Sequence, residues 1–339
     1  MPRPVANPPN PWLTRFTEWL GEPPAATLEV FEERARSIVT ENTSPDVPFR
    51  WGVNPYRGCF HGCAYCYARP SHQYLDWGAG TDFERKLVAK VNAPELLRAH
   101  FEKRSWRGDP ITFSGVTDCY QPLEASYGLT RGCLEVCAAY GNPVGIITKG
   151  LLVRRDAALL AQLARDASAL VYVSVPFIDA ERARKAEPFV PSPAQRLESI
   201  RVLADAGVPT GVAIAPVIPG LNDADLGEIL ERARDAGATR AFHIALRLPA
   251  EVRVVFEDRL RADFPDRAER VLNAIREVHG GRLNDPRFGS RMRGSGARWD
   301  AIDRLFEVQC RRLGLLAEES EAPRASSFRR PSPQGELFA

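Results

Sequence analysis

The chain has 339 residues, 44% of them apolar and 26% charged, and a formal net charge of +2. That length accommodates one large α/β domain with extensions, or two domains, and the charge balance excludes a polycation that holds nucleic acid by net charge. Seven cysteines, an odd number with three close together, argue against a secreted disulfide framework; with no apolar run near the roughly 18 residues of a membrane span and no leader pattern, a reducing cytoplasm is the expected location.

Residues 1–48 hold nine of the 28 prolines, including Asn7-Pro8-Pro9-Asn10-Pro11 and Glu22-Pro23-Pro24. Proline removes a backbone donor and breaks helices, so this segment is predicted to be an extended arm on the domain surface. Trp12, Phe16, Trp19 and Leu20 form a short amphipathic patch that would dock it. Residues 49–250 alternate short apolar runs with helical patterns, which reads as repeated βα units around a parallel sheet. The predicted strands are Arg50–Asn54, Ile111–Val116, Val144–Thr148, Leu170–Val175, Thr210–Pro216 and Ala241–Leu246. Helices are predicted around 94–104, 128–140, 153–167, 193–206 and 224–236, started by Pro94, Ser192-Pro193 and Asn222-Asp223 and stopped by Gly207 and Gly237. Residues 251–316 read as a helical extension (251–279 and 297–316) around a loop from Arg282 to Arg298. From 317 an acidic patch (Glu318, Glu319, Glu321) leads into a basic Pro/Ser/Arg tail, predicted to be disordered to residue 339 because it cannot bury a core.

The chemistry concentrates in residues 54–72. Cys59, Cys63 and Cys66 form a C-x3-C-x2-C triplet in a stretch that Pro55, Gly58 and Gly62 keep from regular structure. Thiolates are soft ligands that suit iron–sulfur clusters or zinc. A cubane usually takes four cysteines, so a compact triplet without a fourth points to one iron left open. The zinc alternative needs His61 or His72 as fourth ligand and would make the protein a non-catalytic, zinc- or cluster-stabilised binding module. No second C-x2-C pair follows at finger or ribbon spacing. Cys133 and Cys137, spaced i, i+4 on a predicted helix, and the solitary Cys310 read as buried small hydrophobes. An auxiliary cluster with Cys119 is the alternative for the helix pair.

With Tyr65 before the third cysteine, this stretch resembles the signature of the radical S-adenosylmethionine (SAM) superfamily. The resemblance implies an open partial (β/α)6 barrel and a [4Fe–4S] cluster on Cys59, Cys63 and Cys66 whose fourth iron chelates SAM. It also implies a reducing electron donor of flavodoxin or ferredoxin type, reductive cleavage of SAM, and a 5′-deoxyadenosyl radical that abstracts hydrogen from a substrate. Tyr65 would then lie against the adenine. Function in parallel βα folds gathers at the C-terminal strand ends, and the resemblance extends to residues there. Ser114, Thr117 and Asp118 after the second strand would meet the methionine amino group, a turn and helix cap being the alternative. Lys149 after the third would pair with the SAM carboxylate. Ser174 on the fourth would meet the ribose or carboxylate, and Ile218 after the fifth would wall the adenine. On the sixth, His243 reads as a packed strand histidine and Arg247 as facing an anionic substrate.

Cys-Tyr-Ala-Arg-Pro-Ser-His after the cluster motif and Thr-Asp-Cys-Tyr-Gln-Pro-Leu-Glu at 117–124 resemble the spore-photoproduct-lyase-like branch. That implies a DNA-repair-like lyase or modification enzyme acting on nucleic acid. Cys119, beside Asp118, lies near the place of the branch's hydrogen-returning cysteine, several residues beyond it, so this pair is the candidate catalytic set. The C-terminal Gln334-Gly-Glu-Leu337-Phe338 resembles the short peptides that dock on the bacterial sliding clamp, Gly335 departing from the usual apolar second position. Arg282, Arg287, Arg291, Arg293 and Arg298 would add a basic surface for DNA or RNA.

Overall fold

The computed structural model describes residues 27–315 and 326–331. Ten strands run in chain order: β1 (Glu29–Glu33), β2 (Val39–Glu41), β3 (Trp51–Val53), β4 (Tyr56–Arg57), β5 (Lys86–Lys90), β6 (Ile111–Phe113), β7 (Val144–Thr148), β8 (Ala169–Ser174), β9 (Thr210–Val217) and β10 (Arg240–Ala245). The main sheet has the order β10-β9-β8-β7-β6-β3-β2. Six of its strands, β3 and β6 to β10, are parallel neighbours in sequence order, and β2 joins β3 antiparallel. These are the six strands anticipated from the sequence. Consecutive βα units place successive strands side by side, so all six C-terminal ends share one edge. Among the described residues no ladder joins β10 to β2, and the sheet is open there.

The crossover helices bury one face each. Leu97, Leu134, Leu160, Ile200 and Leu230 pack with Ile111, Ile146, Val171 and Val212 in one apolar core. Each such side chain contributes about 1.5–3 kcal/mol by leaving water. Helix Pro193–Asp205 starts as its sequence suggests, with a Ser192–Gln195 capping box and proline in the first turn. The helix expected over 251–279 is two helices, Val252–Asp263 and Ala268–Val278. Pro265 lies in the gap, because proline cannot continue the ladder.

A second, three-stranded sheet, β1-β5-β4, was not anticipated. β1 is almost wholly exposed, so its side chains carry no buried pattern to read. Part of the proline-rich arm is thus pinned by backbone ladders, β1 to β5 and β2 to β3. Trp12, Phe16, Trp19 and Leu20 lie outside the described residues. Within the tail read as disordered, residues 326–331 are docked instead. Phe328 packs on Phe101 and Tyr140 with ring centroids 5.7 and 6.1 Å apart. Arg329 N donates to Tyr140 O at 2.8 Å, and Arg330 donates to the carbonyls of Phe101, Lys103 and Trp106. One aromatic anchor among basic residues has no periodicity, which is why the sequence pattern hides it. Gln334, Leu337 and Phe338 lie outside the described residues. No described helix is long and apolar enough to cross a membrane.

Candidate active site

The loop after β3 carries the three cysteines to the shared strand-end edge. Gly58 and Gly62 bend it at φ of 69° and 65°. A Cβ on Gly58 would sit 2.9 Å from His72, Leu87 and the Phe83 carbonyl, so only glycine fits there. Cys59 N donates to Phe83 O at 2.9 Å and Ala64 N to Ala186 O at 2.9 Å, which tie the loop to two neighbouring segments. Cys59 and Cys63 are buried and Cys66 is half-buried, and none is in a disulfide. Burial pushes all three thiols up, Cys63 to about 12, and Cys59 is raised further by Asp118 and then by Cys66 and Cys63.

Polar side chains from the next strand end hold this loop. Asn54 Oδ1 accepts from Val116 N at 2.9 Å, joining the ends of β3 and β6. Thr117 Oγ1 donates to Tyr56 O at 3.3 Å. Gln121, which the sequence reading passed over, grips the loop twice: its Oε1 accepts from Phe60 N at 3.0 Å and its Nε2 donates to Gly58 O at 3.1 Å. Asp118 accepts from Thr148 Oγ1 at 2.6 Å, Lys149 N at 2.7 Å and Tyr120 N at 2.9 Å, and lies 3.4 Å from His61 Nδ1. Burial raises its carboxyl, but His61 and the bonds from Thr148 and Lys149 outweigh that and leave it at about 2.

A second buried group lies at the ends of β7 and β8. Lys149 Nζ donates to Ser174 Oγ at 2.9 Å, stands 3.9 Å from Glu187 Oε1 and faces the Tyr65 ring at 5.9 Å. Glu187 also accepts from the Tyr65 hydroxyl and pairs with Arg196 at 2.7 Å. Arg196 in turn donates to Ser174 O at 2.9 Å. Two cations against one carboxylate leave this buried group with an excess positive charge. Ile218 packs with Cys63, Tyr65 and Phe177 in one apolar cluster. Its amide donates to Asn222 Oδ1 at 2.6 Å, and Asn222 Nδ2 spans the carbonyls of Pro176 and Pro216, locking the ends of β8 and β9. Glu187, Arg196 and Asn222 lie in connecting segments far from the motif, so no spacing rule marks them.

The structure therefore brings Tyr65, Lys149, Ser174 and Ile218 together beside the thiols, and turns Ser114, Thr117 and Asp118 toward protein partners. Ser114 Oγ accepts from Cys119 N at 2.9 Å at a left-handed residue (φ 78°), a turn role. Cys119, the candidate hydrogen donor, is instead wholly buried in the main core. Burial drives its thiol well above the ordinary range. A hydrogen donor must reach the substrate, and the structure gives Cys119 no exposed surface from which to do so. Both oxygens of Asp118 are occupied by protein partners. His72 Nε2 faces Lys86 O at 2.8 Å and its ring packs on Trp77 and Phe83; with His61 on Asp118, neither histidine joins the thiols. His243 packs on Trp299 and Phe306 and pairs with Asp303. Cys133, Cys137 and Cys310 are core residues. Arg247 lies 5.7 Å from the half-exposed Tyr67 ring. Of the loop arginines, Arg287, Arg291 and Arg298 are paired with Asp285, Asp46 and Glu277, which leaves less free charge than the sequence suggests.

The donor set fits an iron–sulfur cluster. Among the described residues no three His, Cys, Asp or Glu side chains converge on a single-ion site. A cluster takes each thiolate on a separate iron, and three thiols on one anchored loop have the softness it needs.

Comparison with known proteins agrees with this chemistry. The family model described as the Radical SAM superfamily matches residues 53–233. The uncharacterized protein Rv2578c of Mycobacterium tuberculosis is 39% identical over 232 residues, covering 68% of each chain. The uncharacterized protein MJ0683 of Methanocaldococcus jannaschii is 28% identical over 198 residues, 58% of this chain and 71% of that one. In fold the chain is similar to a spore photoproduct lyase mutant (TM-score 0.58, 15% identity, 85% of this chain and 81% of that one). It is also similar to spore photoproduct lyase complexed with dinucleoside spore photoproduct (TM-score 0.55, 16% identity, 84% and 78%). With three thiols on one loop at the open ends of six parallel strands, and a family match over more than half its length, the chain belongs to the radical SAM superfamily and is an enzyme whose family uses SAM and an iron–sulfur cluster.

Proposed function

We propose that the protein holds a [4Fe–4S] cluster on Cys59, Cys63 and Cys66 and cleaves SAM reductively to abstract hydrogen from a nucleic acid substrate. The observation that carries the reading is the juxtaposition of those thiols with the buried Lys149–Ser174–Glu187–Arg196 group. The cluster, when bound, supplies the electron that splits the sulfonium and generates the 5′-deoxyadenosyl radical.

The chain's own residues do the rest. Excess positive charge at Lys149 suits a carboxylate, and Ser174 offers a hydroxyl beside it. Glu187 holds Lys149, Tyr65 and Arg196 in one arrangement, so the SAM-facing groups need little reordering on binding. Tyr65 and Ile218 form the apolar wall next to Cys63, which excludes water from a reactive radical. Thr117, Asp118 and Gln121 keep the loop in register. Nucleic acid as substrate is supported by the likeness in fold to a lyase complexed with a dinucleoside photoproduct and by Arg247 beside the half-exposed Tyr67, a cation and a stacking ring at the strand-end edge. The Gln334, Leu337 and Phe338 motif would tether the enzyme to the sliding clamp. A low-potential flavodoxin or ferredoxin would be the electron donor.

The test is anaerobic reconstitution with iron and sulfide, reduction with dithionite and addition of SAM. Formation of 5′-deoxyadenosine by wild type and its loss in Cys63→Ala support the reading. An intact cluster that neither binds nor cleaves SAM, with or without damaged DNA or RNA, would overturn it.

A further inference from the structure

Arg69, Glu84 and Arg259 form a third buried charge group, directly against the cysteine loop. Arg69 is wholly buried. Its guanidinium donates to Cys63 O at 2.7 Å, Gly62 O at 3.2 Å, Gly80 O at 3.0 Å and Ala79 O at 3.2 Å, and pairs with Glu84. Arg259 comes from helix Val252–Asp263, outside the segment that matches the family. It also donates to Gly62 O and pairs with Glu84 at 2.5 Å, its side chain 10% exposed. Two guanidinium groups thus face one carboxylate, so the group carries a net positive charge in a low-dielectric setting. A buried cation without a full counter-charge is costly. The loop thiols are where compensating negative charge would appear, because metal-bound cysteines are thiolates and a cluster on three of them is anionic.

We propose that Arg259 is a positioning residue for the cluster: the C-terminal helical extension locks the Gly62–Cys63 backbone and, with Arg69 and Glu84, sets the net charge that retains the cluster and raises its reduction potential. The proposal rests on the cluster reading above. The carbonyl contacts give retention, since both arginines hold the peptide next to Cys63. The charge gives the potential, since one added electron is better tolerated beside an uncompensated cation.

The experiment uses the full chain, reconstituted anaerobically, in wild type, Arg259→Met, Arg259→Lys and Glu84→Gln, with Arg253→Met on the same helix as control. Iron release to a chelator and the midpoint potential in redox-dye titration are read for each. Arg259→Met should release iron roughly 10–100-fold faster and shift the potential down. Arg259→Lys should restore the potential more than the retention, because an ammonium keeps the charge but not the fork. Glu84→Gln should shift the potential up. Opposite signs for Arg259→Met and Glu84→Gln distinguish counter-charge from simple loosening, which would move both the same way. Equal release and potential in Arg259→Met and wild type overturn the proposal, as does a shift of common sign. If Arg259→Met does not fold, the Glu84→Gln potential decides: an unchanged or lowered value overturns it. Wild type that assembles no iron chromophore overturns the cluster reading itself, and the proposal with it.

Discussion

Two sets of thiols, the loop cysteines (Cys59, Cys63, Cys66) and the helix pair (Cys133, Cys137), differ in what surrounds them. Both sets contain deeply buried side chains, and burial raises the thiols in both. At Cys63 and Cys66, Lys149 and Arg69 work against that rise, whereas Asp118 adds to it at Cys59 and Glu187 adds to it at Cys63. At the helix, Cys133 has only Cys137 and Glu124 beside it, which oppose a thiolate further. The loop is fixed by Arg69, Gln121 and Arg259 at its carbonyls and amides, whereas the helix satisfies its own backbone. What separates the two sets is thus the anchored loop, with cations beside two of its three thiols, and not exposure.

The largest expected effect breaks or keeps this contrast outright. Cys59→Ala, Cys63→Ala or Cys66→Ala should take iron content after reconstitution to background, and Cys133→Ala should leave it at the wild-type level. Equal iron in all four variants would end the distinction. Next comes the charge group beside the loop. Glu187→Ala strands Arg196, which is wholly buried, and should cost about 3–5 kcal/mol in urea unfolding of the metal-free protein; a cost below about 1 kcal/mol would mean that water reaches Arg196.

A third test uses pH. Burial lowers the His72 ring from 6.5 to about 4 in the folded state, so the unfolded chain binds a proton first as pH falls. His72 therefore favours folding above pH 6.5, and that stability is lost progressively between pH 6.5 and about 4, on the order of 3 kcal/mol in all. His72→Gln should flatten this part of the stability profile; an unchanged slope would assign it to other groups. The smallest effect sharpens the other side of the comparison. Cys133→Ala removes one sulfur from a packed core and should cost about 1 kcal/mol, with no change in iron or in any SAM-dependent signal.

Much of the fold was legible because it rests on local periodicity. Six short apolar runs separated by helical patterns are the six parallel strands, and Ser192-Pro193 starts a helix by the chemistry of its own first turn. Where side chains lack periodicity, as in β1 or around Phe328, the sequence pattern was silent. The site was legible only at the cysteine triplet and at the strand ends, where Lys149, Ser174, Tyr65 and Ile218 do meet. Cys119 shows the limit: its position beside Asp118 put it near the mouth in sequence, but the turn at Ser114 directs it into the core.

By itself, then, the sequence determined the cysteine loop, the order of the βα units and the edge on which function gathers, since spacing, glycine and proline act over a few residues. Only the tertiary structure decided which charges surround the thiols. Glu187, Glu84 and Arg259 come to the cysteine loop from separate segments, with Arg196 paired to Glu187 behind it, and a buried ion pair is defined by distance and desolvation, neither of which sequence separation encodes.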